Sequence, residues 1–162
     1  MERRLFVRRT AEAAASVGIL KLLAACFRGP AVSRWERRAD TVLDAELGEQ
    51  FLPDGGHVER SPMYHALLLH SLLDLVNVLP ESDARRKRIL ERLPGLLRFL
   101  AAVRHPDGEI ALFNDAAFGT APAPGALLDY AARLGVEAPG FAAGSFPDSG
   151  YHVWRRGSDA LF

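Results

Sequence analysis

Residues 52–65 read Leu-Pro-Asp-Gly-Gly-His-Val-Glu-Arg-Ser-Pro-Met-Tyr-His, and residues 105–109 repeat the opening of that stretch as His-Pro-Asp-Gly-Glu. Both are turns by composition, since proline presets φ and glycine is free to take φ > 0. Each follows a stretch of helical periodicity and each delivers a polar segment, so the interval from Pro53 to Pro106 corresponds to one helical hairpin. A chain that stacks helical hairpins with equivalent turns on one side forms an α/α solenoid or toroid, in which the turns of one face build the site. The expected fold is therefore mainly α: an incomplete α/α toroid of helical-hairpin repeats. On this reading His57, Glu59, Arg60 and Tyr64 share a face with Glu109, Asn114 and Asp115.

Within the first stretch, Ser61-Pro62 reads as N-cap and first helical residue. The serine oxygen accepts an orphan N–H, and proline has none to lose. Tyr64 and His65 then fall in the first turn of a helix, at its positive end, where a phenolate forms more easily than in bulk water. Helical periodicity predicts a helix over about 10–27, closed by Gly29-Pro30, and a second over about 31–50 with Val32, Trp35, Ala39, Val42, Leu43 and Leu47 on one side. A third, over about 62–79, is leucine on nearly all sides and therefore buried on most of its surface. Its His65, His70, Asp74 and Asn77 are spaced to share a stripe. A fourth, over about 83–104, starts basic at Arg85 to Arg88 and carries Pro94, which predicts a kink; a short fifth spans about 125–134.

The chain has 162 residues, 49% hydrophobic and 25% charged, which suits a globular core. Lys+Arg and Asp+Glu balance at 20 each, so net charge points to neither nucleic acid nor an anionic membrane. The single cysteine, Cys26, excludes an internal disulfide framework and a multi-cysteine zinc site. His57 and Glu59 form an H-x-E pair with no third ligand at convincing spacing, so no metal and no cofactor is expected. No apolar run reaches the length of a membrane span. Arg3-Arg4-Leu5-Phe6-Val7-Arg8 is similar to a twin-arginine export signal and Leu23-Ala24-Ala25-Cys26 to a lipoprotein box, but Glu12 and Lys21 interrupt the intervening region, which also reads as an amphipathic helix.

From Phe146 the pattern changes. Tyr151, Val153 and Trp154 alternate with His152 and Arg155, and a turn at 156–159 precedes Ala160-Leu161-Phe162, so a β-hairpin is expected, with Asp148-Ser149-Gly150 turning into its first strand. Two strands cannot bury a sheet face alone. The expectation is a helical domain over 1–144 and, over 145–162, the start of a truncated antiparallel β-sandwich.

Four blocks in order, DGGHVERSPMYHALLL, LLDLVNVL, PDGEIALFNDAAFG and FPDSGYHVWR, resemble the heparinase II/III-like polysaccharide lyases. The resemblance implies an α/α toroid followed by an antiparallel β-sandwich, with a groove between them, and it implies β-elimination at a uronic acid in an acidic polysaccharide. Carried onto this chain, it puts Tyr64 in the catalytic position with His57 assisting, and Glu59, Arg60, His65, Asn114 and Asp115 as substrate-binding candidates. It also implies the cell envelope or periplasm; a cytoplasmic location follows if the N-terminus is an ordinary helix. Relatives carry a Gly-Asn-His segment that here reads Arg9-Thr10-Ala11-Glu12-Ala13, and a sandwich histidine beyond Phe162, so this chain by itself is expected to be an inactive lyase fragment. The alternative is a non-catalytic helical-repeat module that binds glycan or protein.

Overall fold

The structure, a computed structural model, describes residues 29–140, 143–156 and 159–162. The helix expected over 10–27, the two signal motifs and Cys26 lie outside the described residues. The chain divides into two compact units, Met1–Gln50 and Phe51–Phe162.

In the first unit, helix α1 spans Pro30–Glu49, with proline in its first turn, where a missing N–H costs nothing. Ala39, Leu43 and Leu47, spaced i, i+4, i+8, form its buried stripe. Val32, Trp35 and Val42 from the predicted face are only half-buried. The helix closes with Gln50 N–H on the Glu46 carbonyl at 2.9 Å.

In the second unit, α2 (Pro62–Val78), α3 (Ala84–Ala102) and α4 (Pro124–Arg133) pack on one another. Leucines of α2 are buried on several sides, Leu69 and Leu73 fully, as its composition requires. Asp83 caps α3, its Oδ1 accepting the Arg85 N–H at 2.9 Å and the Arg85 Nε–H at 2.7 Å. The α3 helix is continuous through Pro94, and Ile89, Leu93, Leu97 and Leu100 make its fully buried face. At the end of α4, Gly135 takes φ 77° while Val136 N–H reaches the Ala131 carbonyl at 2.9 Å and Gly135 N–H the Ala132 carbonyl at 3.0 Å. This is the Schellman closure, which favours glycine because its left-handed backbone costs other residues energy.

The C-terminal strands form an antiparallel sheet of order β1-β2-β3, with β1 Ala143–Phe146, β2 Tyr151–Arg156 and β3 Asp159–Leu161. The expected two-stranded hairpin is thus corrected: a further strand precedes it, and Pro147 to Gly150 connects β1 to β2, with Phe146 paired to Tyr151. Ala143-Gly144-Ser145 carries none of the β-branched or aromatic residues that mark a strand, so pairing rather than propensity forms it. The inner face of the sheet, Phe146, Tyr151 and Val153, is buried on Phe99, Ala102 and Val103 of α3 and its C-cap. Arg155 fastens the same junction, its Nη2 donating to the Ala101 carbonyl at 2.9 Å, the Ala102 carbonyl at 3.1 Å and the Arg104 carbonyl. Those groups are left without intrahelical donors at a helix end.

Candidate functional site

The site is built on the two Pro-Asp turns, which are the same structure. In the first, Leu52 N–H donates to Gly56 O at 2.8 Å and Gly55 N–H to Leu52 O at 2.9 Å, while Asp54 Oδ1 accepts Gly56 N–H at 2.9 Å. In the second, His105 N–H donates to Glu109 O at 2.7 Å and Gly108 N–H to His105 O at 3.0 Å, while Asp107 Oδ1 accepts Glu109 N–H at 2.9 Å. Each turn is closed by a single β-bridge, Phe51 with His57 and Arg104 with Ile110. The turns differ in what surrounds them. A Cβ on Gly55 would stand 2.4 Å from the Gly95 carbonyl oxygen of α3, and one on Gly56 would stand 2.7 Å from Ser149 Cβ, whereas Gly108 faces open space. Asp54 Oδ2 further accepts the Ser149 N–H at 2.7 Å and its Oγ–H at 2.9 Å.

The first turn feeds residues 57–61. His57 is buried, and its Nδ1 accepts Glu59 N–H at 3.2 Å, so its proton sits on Nε2, which has no partner among the described residues. Burial pushes its pKa down to about 4. Arg60 takes the left-handed conformation, φ 54°, unusual for a side chain of its kind. Its carbonyl accepts Asn114 Nδ2–H at 2.7 Å and Tyr151 O–H at 2.8 Å, and Asn114 Nδ2 also lies 3.1 Å from the Glu59 carbonyl. Two distant elements thereby hold the loop in its strained form. Tyr151 is inward-facing, and burial pushes its pKa up to about 12, so its hydroxyl remains a donor.

Tyr64 stands in the first turn of α2, half-buried, its N–H 3.5 Å from Ser61 Oγ, with its ring centroid 6.2 Å from that of His57. The phenolate expected from the helix end is not favoured. Burial raises the pKa of Tyr64 above the ordinary value, and the nearby carboxylates of Asp115 and Glu59 raise it further. The group is a protonated phenol at neutral pH.

His65 lies inside the helix packing. It is fully buried, with Nε2 2.9 Å from the Leu96 carbonyl of α3 and its ring 4.9 Å from Phe99, and burial, with His57 second, pushes its pKa down to about 3. The stripe expected to join it to His70, Asp74 and Asn77 does not form. At about 100° per residue those three lie on the far side of the helix. There Asp74 pairs with His70 at 3.8 Å and accepts the Tyr130 hydroxyl at 3.0 Å.

Thus His57, Glu59, Arg60, Tyr64, Asn114 and Asp115 are brought together, His65 lies beneath them, and Glu109 stays exposed in its own turn. Beside Arg60 and Asn114 opens a groove of about 420 Å³, continued by Phe113, Tyr151, Trp154 and Leu161. Tyr151, Asp54 and Ser149 join the site as supports that residue type alone does not mark. Only the alternation of β2 signalled that Tyr151 faces inward. Among the described residues no group of His, Cys, Asp and Glu is placed to hold a metal ion, and no helix is long and apolar enough to cross a membrane.

Residues 29–128 match the family model described as the heparinase II/III N-terminus. No curated protein and no solved structure matches the chain.

Proposed function

The chain belongs to the heparinase II/III family, whose N-terminal region it matches over most of its described length, and from that membership we propose that it serves β-elimination on uronic-acid-containing glycans, with Tyr64 as proton donor. In that reaction the C5–H bond breaks, its proton passing to the exposed carboxylate of Asp115 beside Tyr64 and its electrons forming the C4–C5 double bond. The C4–O bond breaks with its electron pair on oxygen, and that oxygen takes a proton. A phenol held protonated is suited to the last step. The observation that carries this reading is the placement of Tyr64, half-buried in the first turn of α2 with its ring centroid 6.2 Å from that of His57, in one cluster with Arg60, Asn114 and Asp115. Arg60, exposed at the groove, is the cation that would meet the uronate carboxylate, and Asn114 fixes the backbone from which it projects. His57 assists beside Tyr64 as a neutral ring with an uncommitted Nε2–H, and His65 ties α2 to α3 in the core beneath them. An acidic polysaccharide is the partner this reading requires, and the cell envelope is the setting the family suggests.

A second reading, a glycan- or protein-binding module without turnover, is favoured by one observation: both histidines near Tyr64 are buried and neutral, and neither presents a free base. The two readings separate in one assay. The chain is incubated with heparan-, alginate- and chondroitin-type polymers while the unsaturated-uronate absorbance is followed. The lyase reading expects a rise that Tyr64→Phe lowers by about a hundredfold or more. Retained glycan binding with no rise establishes the binding module instead.

A further inference from the structure

The groove beside Arg60 contains a feature the elimination chemistry does not use. Trp154 points to the outer face of β2 and is 58% exposed, a large area for an indole to leave in water. It is backed by His152, whose ring lies parallel at 19° with centroids 6.4 Å apart, and His152 Nδ1 is in turn held by Ser145 Oγ at 2.9 Å. Across the ladder Trp154 pairs with Leu161, also exposed on that face. Phe113, which also lines the groove, sets its ring against Tyr151 at 5.4 Å and Phe162 at 5.9 Å.

Two properties decide what this surface fits. Its charge is one-sided: among the described residues Arg60 lines the groove and no Asp or Glu side chain does. Its walls are mixed, an apolar shelf meeting a guanidinium and the Asn114 amide, and its volume lies in the range of sites that enclose small ligands rather than flat protein contacts. A sugar ring offers an apolar C–H face and a polar rim, and a uronic acid adds one carboxylate at that rim.

We propose that Trp154 is the stacking platform of an acidic-sugar subsite, with the apolar face of a uronate ring on the indole and its carboxylate on Arg60. The proposal rests on the reading of the groove as a glycan site and names the residue that sets its affinity, Trp154, beside the one that sets its charge preference, Arg60. Trp154 acts by binding alone, so its role is separable from turnover.

The test uses the full chain with Tyr64→Phe, which prevents turnover, and Trp35→Phe, which leaves Trp154 as the only indole. Titration with a saturated hexauronate is expected to shift the tryptophan emission to shorter wavelength and saturate, while a neutral hexaglucan binds about tenfold more weakly. By calorimetry, Trp154→Ala weakens hexauronate binding about tenfold and Trp154→Phe restores most of it; Arg60→Gln removes the preference for acid over neutral sugar. Unchanged emission at saturation overturns the proposal, as does wild-type affinity in Trp154→Ala. So does self-association that Trp154→Ala abolishes, which would make the shelf a contact between copies of the chain. Hexauronate binding through Trp154 in a chain without lyase activity sinks the elimination reading and leaves the subsite standing; activity with an indifferent Trp154 does the reverse.

Discussion

Arg60 is the residue at which stability and recognition pull in opposite directions. A left-handed φ costs a residue with a Cβ about 1–2 kcal/mol, and the position persists because Asn114 and Tyr151 both donate to its carbonyl. Asn114→Ala removes one donor, and we expect a loss of about 1–2 kcal/mol in urea unfolding together with faster amide exchange over residues 57–61. Arg60→Gly should move stability the other way, by up to about 1 kcal/mol, while removing the cation from the groove. A variant that proved less stable than the parent would mean that the backbone there is not strained. Tyr64 shows the same contest on a titratable group. The helix end favours its anion, but burial and two carboxylates outweigh that field.

At the scale of the element, the two Pro-Asp turns form a natural control experiment. They share hydrogen bonds and φ values of 90° at Gly55 and 96° at Gly108, so Gly→Ala costs the same backbone strain in each. Only Gly55 lies against a helix carbonyl. Gly108→Ala should cost about 1–2 kcal/mol, and Gly55→Ala about 2 kcal/mol more, because α3 or the turn must shift. Equal losses in paired thermal melts would show that the close approach to Gly95 is relaxed at little cost. The repeat itself was legible in the sequence because proline, aspartate and glycine each have one conformational use in such a turn. The helices were legible for a related reason: Gly29-Pro30 and Ser61-Pro62 mark ends chemically, and leucine spacing marks faces. Strand β1 was not legible, since Ala143-Gly144-Ser145 has no preference of its own. The separation of His65 from His70 was legible in helix phase, since five residues at about 100° each put the two about 140° apart.

At the scale of the whole second unit, the buried histidines set an acid limit. His57 and His65 are held near 4 and 3 against an ordinary 6.5, so the unfolded chain binds protons that the folded chain refuses as pH falls below 6.5. Their contribution to stability is complete above that pH and is lost as pH drops toward the folded values, each unit of depression corresponding to about 1.4 kcal/mol. Urea midpoints should therefore fall steeply between about pH 6.5 and about pH 4, and a His57→Gln, His65→Gln double variant should flatten that slope. A parallel slope in the variant would assign the acid limit to other groups. Tyr151, raised to about 12 from 10.0, gives the opposite limb, with stability declining as pH rises past 10.0. The site was legible as a cluster of residue types around Tyr64. The groove was not, because it needs Arg60, Phe113 and Trp154 from three distant stretches.

Arg155 gives this unit a schedule. The carbonyls it caps at the end of α3 and just past it belong to residues 101, 102 and 104, so on a ribosome the helix is made some fifty residues before the guanidinium that finishes it. At translation speeds of about 5–20 residues per second, that leaves roughly 3–10 s in which the hairpin of α2 and α3 waits with an open end. During that interval the sides of Phe99, Ala102 and Val103 that face the sheet are uncovered as well, since the sheet that covers them carries the cap. Until β1 and β2 emerge, the newborn chain therefore shows an apolar face that a chaperone would cover.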